Sequence, residues 1–578
     1  MPSRPRSIDE LSAANVAAIG RHLTFVYGEA RGMLLKERVL AIINQHLNQQ
    51  RAAPIKPHWD ETDVVLITYG DTLRQDGEAP LKTLDAFANQ HLQQAVNIVH
   101  LLPVYPWSSD DGFSVINYQQ IDPALGGWDD IERLHRHFDL MMDFVLNHCS
   151  RASLWFYDFL LDKAPGKDFF IEVDPATDLS MVVRPRTSPL LAPVNTRGGT
   201  RYVWATFSHD QIDLDFSNPD VLLEFISILL FYIRQGARVL RLDAIAYLWK
   251  EIGTPCIHLP QTHAIVKLFR EIVREAEPGV ILLTETNVPH EENIRYFGDG
   301  DEAQMVYQFS LPPLLLHAVH TGSTRYLHTW AKNLAPPPPG CTYFNFTASH
   351  DGIGMRPLEG LLPPAEIRAL IDDIREMGGF VSTKQNADGS ESPYELNITY
   401  FDACRGHTGR HHQARFLLTQ TVAMSLQGVV AVYIHSLLAT PNDFHGVERT
   451  GMTRSINRRK WEMAELEAHL DDPNGLAGAI FNEYRRRLEL RRQQPAFHPD
   501  ATQQVLDLGA GLFGIRRRAV DGRQTITALY NFTDSEKSAP VAALDEDRAQ
   551  WTDLLGGGSV QAVDGAVTLP EYGGYWLV

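Results

Sequence analysis

Four cysteines in 578 residues are too few and too scattered for a disulfide framework. Cys149, Cys256, Cys341 and Cys404 form no CxxC pair, so reduced thiols in a cytoplasm are expected. Long apolar runs are missing as well. The longest candidates, such as LPPLLLHAV, contain proline or histidine and fall short of the roughly 20 residues a membrane span needs. The start, MPSRPRSIDELS, lacks the apolar core of a secretory signal. Basic charge is in deficit too: the net charge is −19, whereas a nucleic-acid or anionic-membrane partner needs basic patches. That deficit does not exclude an anionic small substrate, which meets only its local pocket. There is no internal repeat, and the one low-complexity piece is PPPP at 336–339, a rigid spacer.

What is present is a long alternation. Residues 1–57 read as a helical extension, with Leu40, Ile43 and Leu47 at helical spacing. From residue 58 to 496, eight apolar runs alternate with room for helices: 64–71, 97–107, 139–148, 238–247, 279–287, 305–315, 342–352 and 428–438. Runs apolar on both faces and separated by helices imply a parallel sheet, and eight of them imply a closed (β/α)8 TIM barrel. Two gaps exceed a plain crossover. Residues 151–207 and 353–405 therefore read as loop insertions after strands 3 and 7. From 497 to 578, GLFGIRRRA, QTITALYNF and GGYWLV alternate with turn residues, as in a C-terminal antiparallel β-domain.

The fourth run breaks the rule that strands buried on both faces are apolar. In RVLRLDAIAY, Arg241 and Asp243 sit one residue apart and so share a face. Buried charges are rare unless paired, and pairing often only breaks even. In a barrel, chemistry sits at the C-terminal ends of the strands. There this sequence also places Asp143, Asn147 and His148 on the third strand, Glu285 on the fifth, and His350 and Asp351 on the seventh. Each residue alone has a structural explanation, but together they converge on one mouth.

DFVLNH, VLRLDA, LTETN and ASHDG resemble the four strand-end motifs of the α-amylase superfamily, glycoside hydrolase family 13, in order and on the right strands. The resemblance runs from about residue 60 to the end. It implies Asp243 as nucleophile, Glu285 as general acid/base and Asp351 as transition-state stabiliser, with Arg241, His148 and His350 lining the glucosyl subsite. Retaining transfer needs two carboxyl groups about 5–5.5 Å apart, one attacking and one protonating. Arg241 beside Asp243 favours an ionised nucleophile, and Glu285 has no arginine adjacent in sequence.

Finer matches resemble the sucrose-phosphorylase subgroup. SSDDGFSVINY implies Asp110 and Phe113 as glucose contacts, and TRYVWATFSHDQIDLD implies Phe207 and Gln211. RPR and GVERTGMTRSINR imply Arg186 and Arg454 near phosphate, with Tyr394 of SPYELN, while Arg449 and Arg458 are expected to face solvent. Sucrose specialists carry histidine and glutamine where this chain has Asn287 and Glu395. The N-terminal extension, TNVPHEENIRYFG and SPYELN instead resemble enzymes acting on 2-O-α-glucosylglycerate. Glu395 is an odd neighbour for an anionic glycerate unless it pairs with an arginine or faces away; otherwise it favours neutral glycerol.

The resemblance thus implies a retaining phosphorylase that uses a glucoside and inorganic phosphate. Glucosylglycerol, sucrose and sucrose 6-phosphate are alternative substrates. A sucrose hydrolase or transglucosidase and an inactive amylase-like binding protein are rivals, and loss of Asp243 or Glu285 would have favoured the last. No cofactor is expected, because no dinucleotide glycine fingerprint occurs. No metal is expected either: the HxxH pair, His317 and His320, follows a run assigned to the sixth strand. Relatives often form homodimers.

Overall fold

The computed structural model describes residues 11–49, 56, 58–386, 390–544 and 548–578. MPSRPRSIDE, most of the polar stretch 50–57 and residues 387–389 of the second insertion therefore lie outside the described residues.

Eight strands close into a parallel barrel: β1 (Val64–Thr68), β2 (Ile98–Leu101), β3 (Asp139–Val145), β4 (Ala237–Asp243), β5 (Ile281–Thr284), β6 (Met305–Tyr307), β7 (Thr342–Asn345) and β8 (Val429–Tyr433). Val64 of β1 pairs with Val430 of β8, which closes the ring. The β-branched and aliphatic run VVLIT is buried at every position, because helices cover its outer face and the barrel core fills the inner one. The crossover helices begin where their signals lie. Asn218 caps Pro219–Arg234 by accepting from the Asp220 N–H, and Pro260 opens Pro260–Ala276, where a missing N–H costs nothing.

Several runs end sooner than their apolar length suggests. β3 stops at Val145, and His148–Ser150 turns aside as a separate antiparallel strand against Gln211–Asp213. β6 is only Met305–Tyr307, and the apolar residues after it belong to the helix Leu311–Thr321. Pro312 and Pro313 sit in its first turn, where proline is tolerated and helical phases are pre-set. The HxxH pair therefore lies on the helix that follows β6. His317 Nε2 lies 3.0 Å from Glu366, and His320 Nε2 lies 2.8 Å from the Ala403 carbonyl, so each ring has its own partner.

Residues 151–207 hold the helix Leu154–Leu161 and a hairpin of Leu191–Thr196 with Gly199–Trp204. Residues 353–405 hold the helix Pro364–Glu376 and a hairpin of Phe380–Gln385 with Glu391–Asn397. Ile353–Gly354 adds to that hairpin by pairing with Leu396 and Glu395, which ties it to the end of β7. The C-terminal region forms a four-stranded antiparallel sheet of Thr502–Leu506, Leu512–Arg518, Thr525–Asn531 and Gly574–Leu577. Arg517, fully buried, joins that sheet to the barrel by donating to the carbonyls of Ser425 and His498 at 2.8 Å each. The N-terminal helices Ala13–Tyr27 and Glu29–Gln49 lie on the barrel's outer helices; Asn15 bonds Glu275, and Tyr27 Oη donates to the Phe216 carbonyl.

Candidate active site

Arg241 and Asp143 are register partners on β4 and β3, so their side chains enter the barrel together. Arg241 Nη1 donates to Asp143 at 2.5 Å and to Asp243 at 2.7 Å, and Nη2 lies 3.9 Å from Glu285. Asp143 is in turn held by His100 of β2 at 2.8 Å. The charge pair on the fourth strand is thus part of a buried network across three strands. One guanidinium bonds Asp243 and lies 3.9 Å from Glu285, although no arginine adjoins Glu285 in sequence.

Glu285 is aimed by the backbone. Ala244 adopts a left-handed conformation, φ +50°, immediately after β4, and its N–H donates to Glu285 Oε2 at 2.9 Å. For a residue with a Cβ that turn costs about 1 kcal/mol. Burial pushes Glu285 up to about 7, Arg241 opposes this, and the negative charges of Asp243 and Asp351 add to the rise. Burial also raises Asp243, though Arg241 and His148 oppose it. Asp243 accepts the short charge-assisted bond and Glu285 does not, so the proton shared by this coupled pair rests on Glu285.

Asp351 behaves oppositely. Burial works against its ionisation but is outweighed by His350, Arg454, Arg241 and Arg458, which hold it well below the usual carboxylate range. Arg454 Nη1 lies 2.9 Å away, His350 Nε2 3.5 Å and Arg458 Nη2 4.0 Å. Arg458 was expected to face solvent; instead its side chain is 3% exposed, bonds Asp111 at 2.6 Å and donates to the His350 carbonyl at 2.7 Å. Asp111 supplies the acceptor, and Asp110 at 3.8 Å a second negative charge, that make its burial tolerable. Arg449 does face solvent.

Around these carboxylates the fifteen residues singled out from the sequence, together with Ala244, line one cavity of about 60 Å3. Phe113 and His350 stack at 4.7 Å, and Phe207 lies 5.2 Å from His148. Gln211 reaches His148 at 3.2 Å and Asp110 at 3.4 Å. On the opposite side, Arg454 grips Glu395 through Nη2 at 2.6 Å and Nε at 3.1 Å. Arg186 stands 5.2 Å over the Tyr394 ring and 5.8 Å over Phe207, with no carboxylate partner among the described residues. Asn287 packs against Gly354, where a Cβ would come within 2.6 Å, and its Oδ1 is buried without a partner among the described residues.

Such an arrangement can transfer a glycosyl group. An ionisable pair sits with one member charged and the other protonated near neutrality, beside a third carboxylate held ionised. The α-amylase catalytic-domain family model matches residues 91–335. The chain is 47% identical over 506 residues to the glucosylglycerate phosphorylase of Escherichia coli (strain K12), covering 87% of this chain and 90% of that one. It is equally identical over 539 residues to the glucosylglycerate phosphorylase of Allomeiothermus silvanus, covering 92% and 96%. The chain belongs to the glucosylglycerate phosphorylase family. Among solved structures, the sucrose 6F-phosphate phosphorylase of Thermoanaerobacter thermosaccharolyticum superposes with a TM-score of 0.72 at 26% identity, over 82% of this chain and 94% of that one.

Beyond the residues the family resemblance implied, the barrel positions several others. His100 clamps Asp143, and Ala244 orients Glu285. Lys250 Nζ donates to Asp213 and to the side-chain Oδ1 of Asn147 at 2.7 Å each, with 3% of its side chain exposed. Asp213 also accepts from Thr206 N–H and Oγ1, so the ammonium neutralises a carboxylate that fixes the loop behind Phe207. Lys250 carried no sequence signal, because its partners Asp213 and Asn147 lie 37 and 103 positions earlier and meet it only in the fold.

Proposed function

We propose that this protein catalyses the reversible phosphorolysis of 2-O-α-D-glucosylglycerate to α-D-glucose 1-phosphate and D-glycerate. The observation that carries the reading is Arg186, a guanidinium that lines the same cavity as Asp243 and Glu285, stands over the Phe207 and Tyr394 rings and has no carboxylate partner among the described residues. A hydrolase needs no cation at the acceptor position; a phosphate or carboxylate acceptor does.

In the first step Asp243 attacks the anomeric carbon while Glu285 gives its proton to the departing glycerate oxygen, leaving a β-glucosyl-enzyme. Phosphate, held by Arg186 and Tyr394, then attacks the same carbon, and Glu285 accepts the proton. Two inversions give net retention. Asp351 faces the positive charge that develops on the ring, which is why it must stay ionised. Glu395 loses its conflict with an anionic acceptor once Arg454 neutralises it, leaving Asn287 and Arg186 to meet glycerate. Arg454 is therefore a partner of Glu395 and Asp351 in this state and becomes a phosphate ligand only by leaving them. Cytoplasmic residence fits the four free, buried thiols.

With orthophosphate and glucosylglycerate, one α-glucose 1-phosphate should form per glycerate released, and glucosylglycerol, sucrose and sucrose 6-phosphate should react more slowly. Free glucose released at the same rate without phosphate would overturn the reading.

A further inference from the structure

A second cavity, of about 470 Å3, lies behind Tyr394 and has no role in the chemistry above. Its wall includes residues 179–185, Tyr247, Arg356 and Lys384, and it shares Tyr394 with the catalytic cavity. Tyr247 joins the two spaces, with its ring edge-on to Phe207 at 5.6 Å. The lining is cationic on three sides: Arg184, Arg356 and Lys384.

Among the described residues, the nearby carboxylates do not saturate Arg356 and Lys384. Glu292 is 4.0 Å from Arg356 Nη2, beyond an ordinary hydrogen bond, and its Oε2 is 3.2 Å from the His258 ring. Glu359 is 3.6 Å from Lys384 Nζ, beyond an ordinary hydrogen bond. Arg356 Nε is buried with no partner among the described residues, and a buried charged donor without an acceptor is costly. The Lys384 ammonium is pushed below its usual value, first by burial and then by the charge of Arg356. The position is also fixed relative to the acceptor loop. Met355 N donates to the Tyr394 carbonyl at 2.9 Å, so Arg356 follows directly on the backbone that holds Tyr394.

We propose that this cavity is a second subsite for small oxyanions, in which Arg356 and Lys384 hold the phosphate or glycerate that moves past Tyr394 to the glucosyl-enzyme. Two cations at one half-buried site supply the charge-assisted bonds an oxyanion needs, and Tyr394 separates the waiting position from Arg186. The inference rests on the phosphorylase reading for the destination of the anion, but not for its binding.

Calorimetric titration with inorganic phosphate alone tests it without turnover. The unmodified protein should take up two phosphates, Arg356→Ala/Lys384→Ala one, and Arg186→Ala also one, the sites lost being different. In kinetics, the double variant should raise the KM for phosphate and for glycerate about tenfold and flatten the fall of kcat/KM with added salt. A rise for one anion alone identifies that anion as the occupant. Arg356→Lys/Lys384→Arg, which keeps the charge, should restore the KM values. Lys384→Gln, on a partly exposed strand, should show about a threefold rise even if the double variant folds poorly. Equal phosphate stoichiometry in the unmodified protein and the double variant, or unchanged KM values and salt dependence, would overturn the subsite. If no glucoside yields glucose 1-phosphate while the phosphate count still drops, the phosphorylase reading fails and the subsite stands.

Discussion

Glu285 holds its proton to about 7 instead of the ordinary 4.5, and this has a cost in stability that can be measured. The difference corresponds to about 3 kcal/mol, and the side chain is 14% exposed, so solvent screening removes little of it. The folded protein keeps the proton where the unfolded chain has lost it. Stability therefore falls as pH rises from about 4.5 to about 7, and the full penalty applies above that. Glu285→Gln cannot ionise and escapes the penalty. For a chain of 578 residues the entropy of unfolding is about 1.2 kcal/mol per kelvin, so the variant should melt about 2–3 °C higher at pH 8. At pH 5 most of that gain should vanish. Calorimetric melting of both proteins at the two pH values is the assay. A gain of the same size at pH 5 and pH 8, or none at pH 8, would refute the assignment of the shared proton to Glu285.

Other outcomes follow from the same contacts. Asp243→Asn should lower turnover about 10⁴-fold or more while leaving the fold intact, and near-normal rates would remove Asp243 from the nucleophile's place. Arg186→Ala should raise the KM for phosphate far more than the KM for the glucoside, because it stands over rings on the acceptor side with no carboxylate partner among the described residues; equal rises would mean that it does not hold the anion. Lys250→Met leaves Asp213 buried and unpaired, so denaturant unfolding should show a loss of about 3 kcal/mol, partly recovered by adding Asp213→Asn. Above pH 7 the kcat/KM for phosphorolysis should decline as Glu285 loses its proton, and a profile flat to pH 9 would contradict its role as the acid.

The barrel was legible because eight apolar runs recur at crossover spacing, and the strand-end motifs fall at its mouth for the same reason. What periodicity could not show was where each strand stops. MVYQFSLPPLL reads as one run, yet its prolines begin a helix after Tyr307. Charges were equally hard to place when their partners are remote. Arg458 looks like a loop residue in TRSINR, but Asp111, 347 positions earlier, makes its burial possible. Glu395 looked out of place beside an anion until the fold set Arg454 against it. Ala244 could not be found at all: its contribution is a backbone N–H, which every residue but proline carries.

The most direct test of the two-step transfer is isotope exchange. The protein is incubated with α-glucose 1-phosphate and labelled orthophosphate, with no glycerate and no other acceptor present. A glucosyl-enzyme formed by Asp243 and resolved by phosphate predicts that label enters glucose 1-phosphate at a rate comparable to turnover. Exchange that appears only when glycerate is added would contradict it, since phosphate and glycerate would then have to meet on the enzyme in a single displacement.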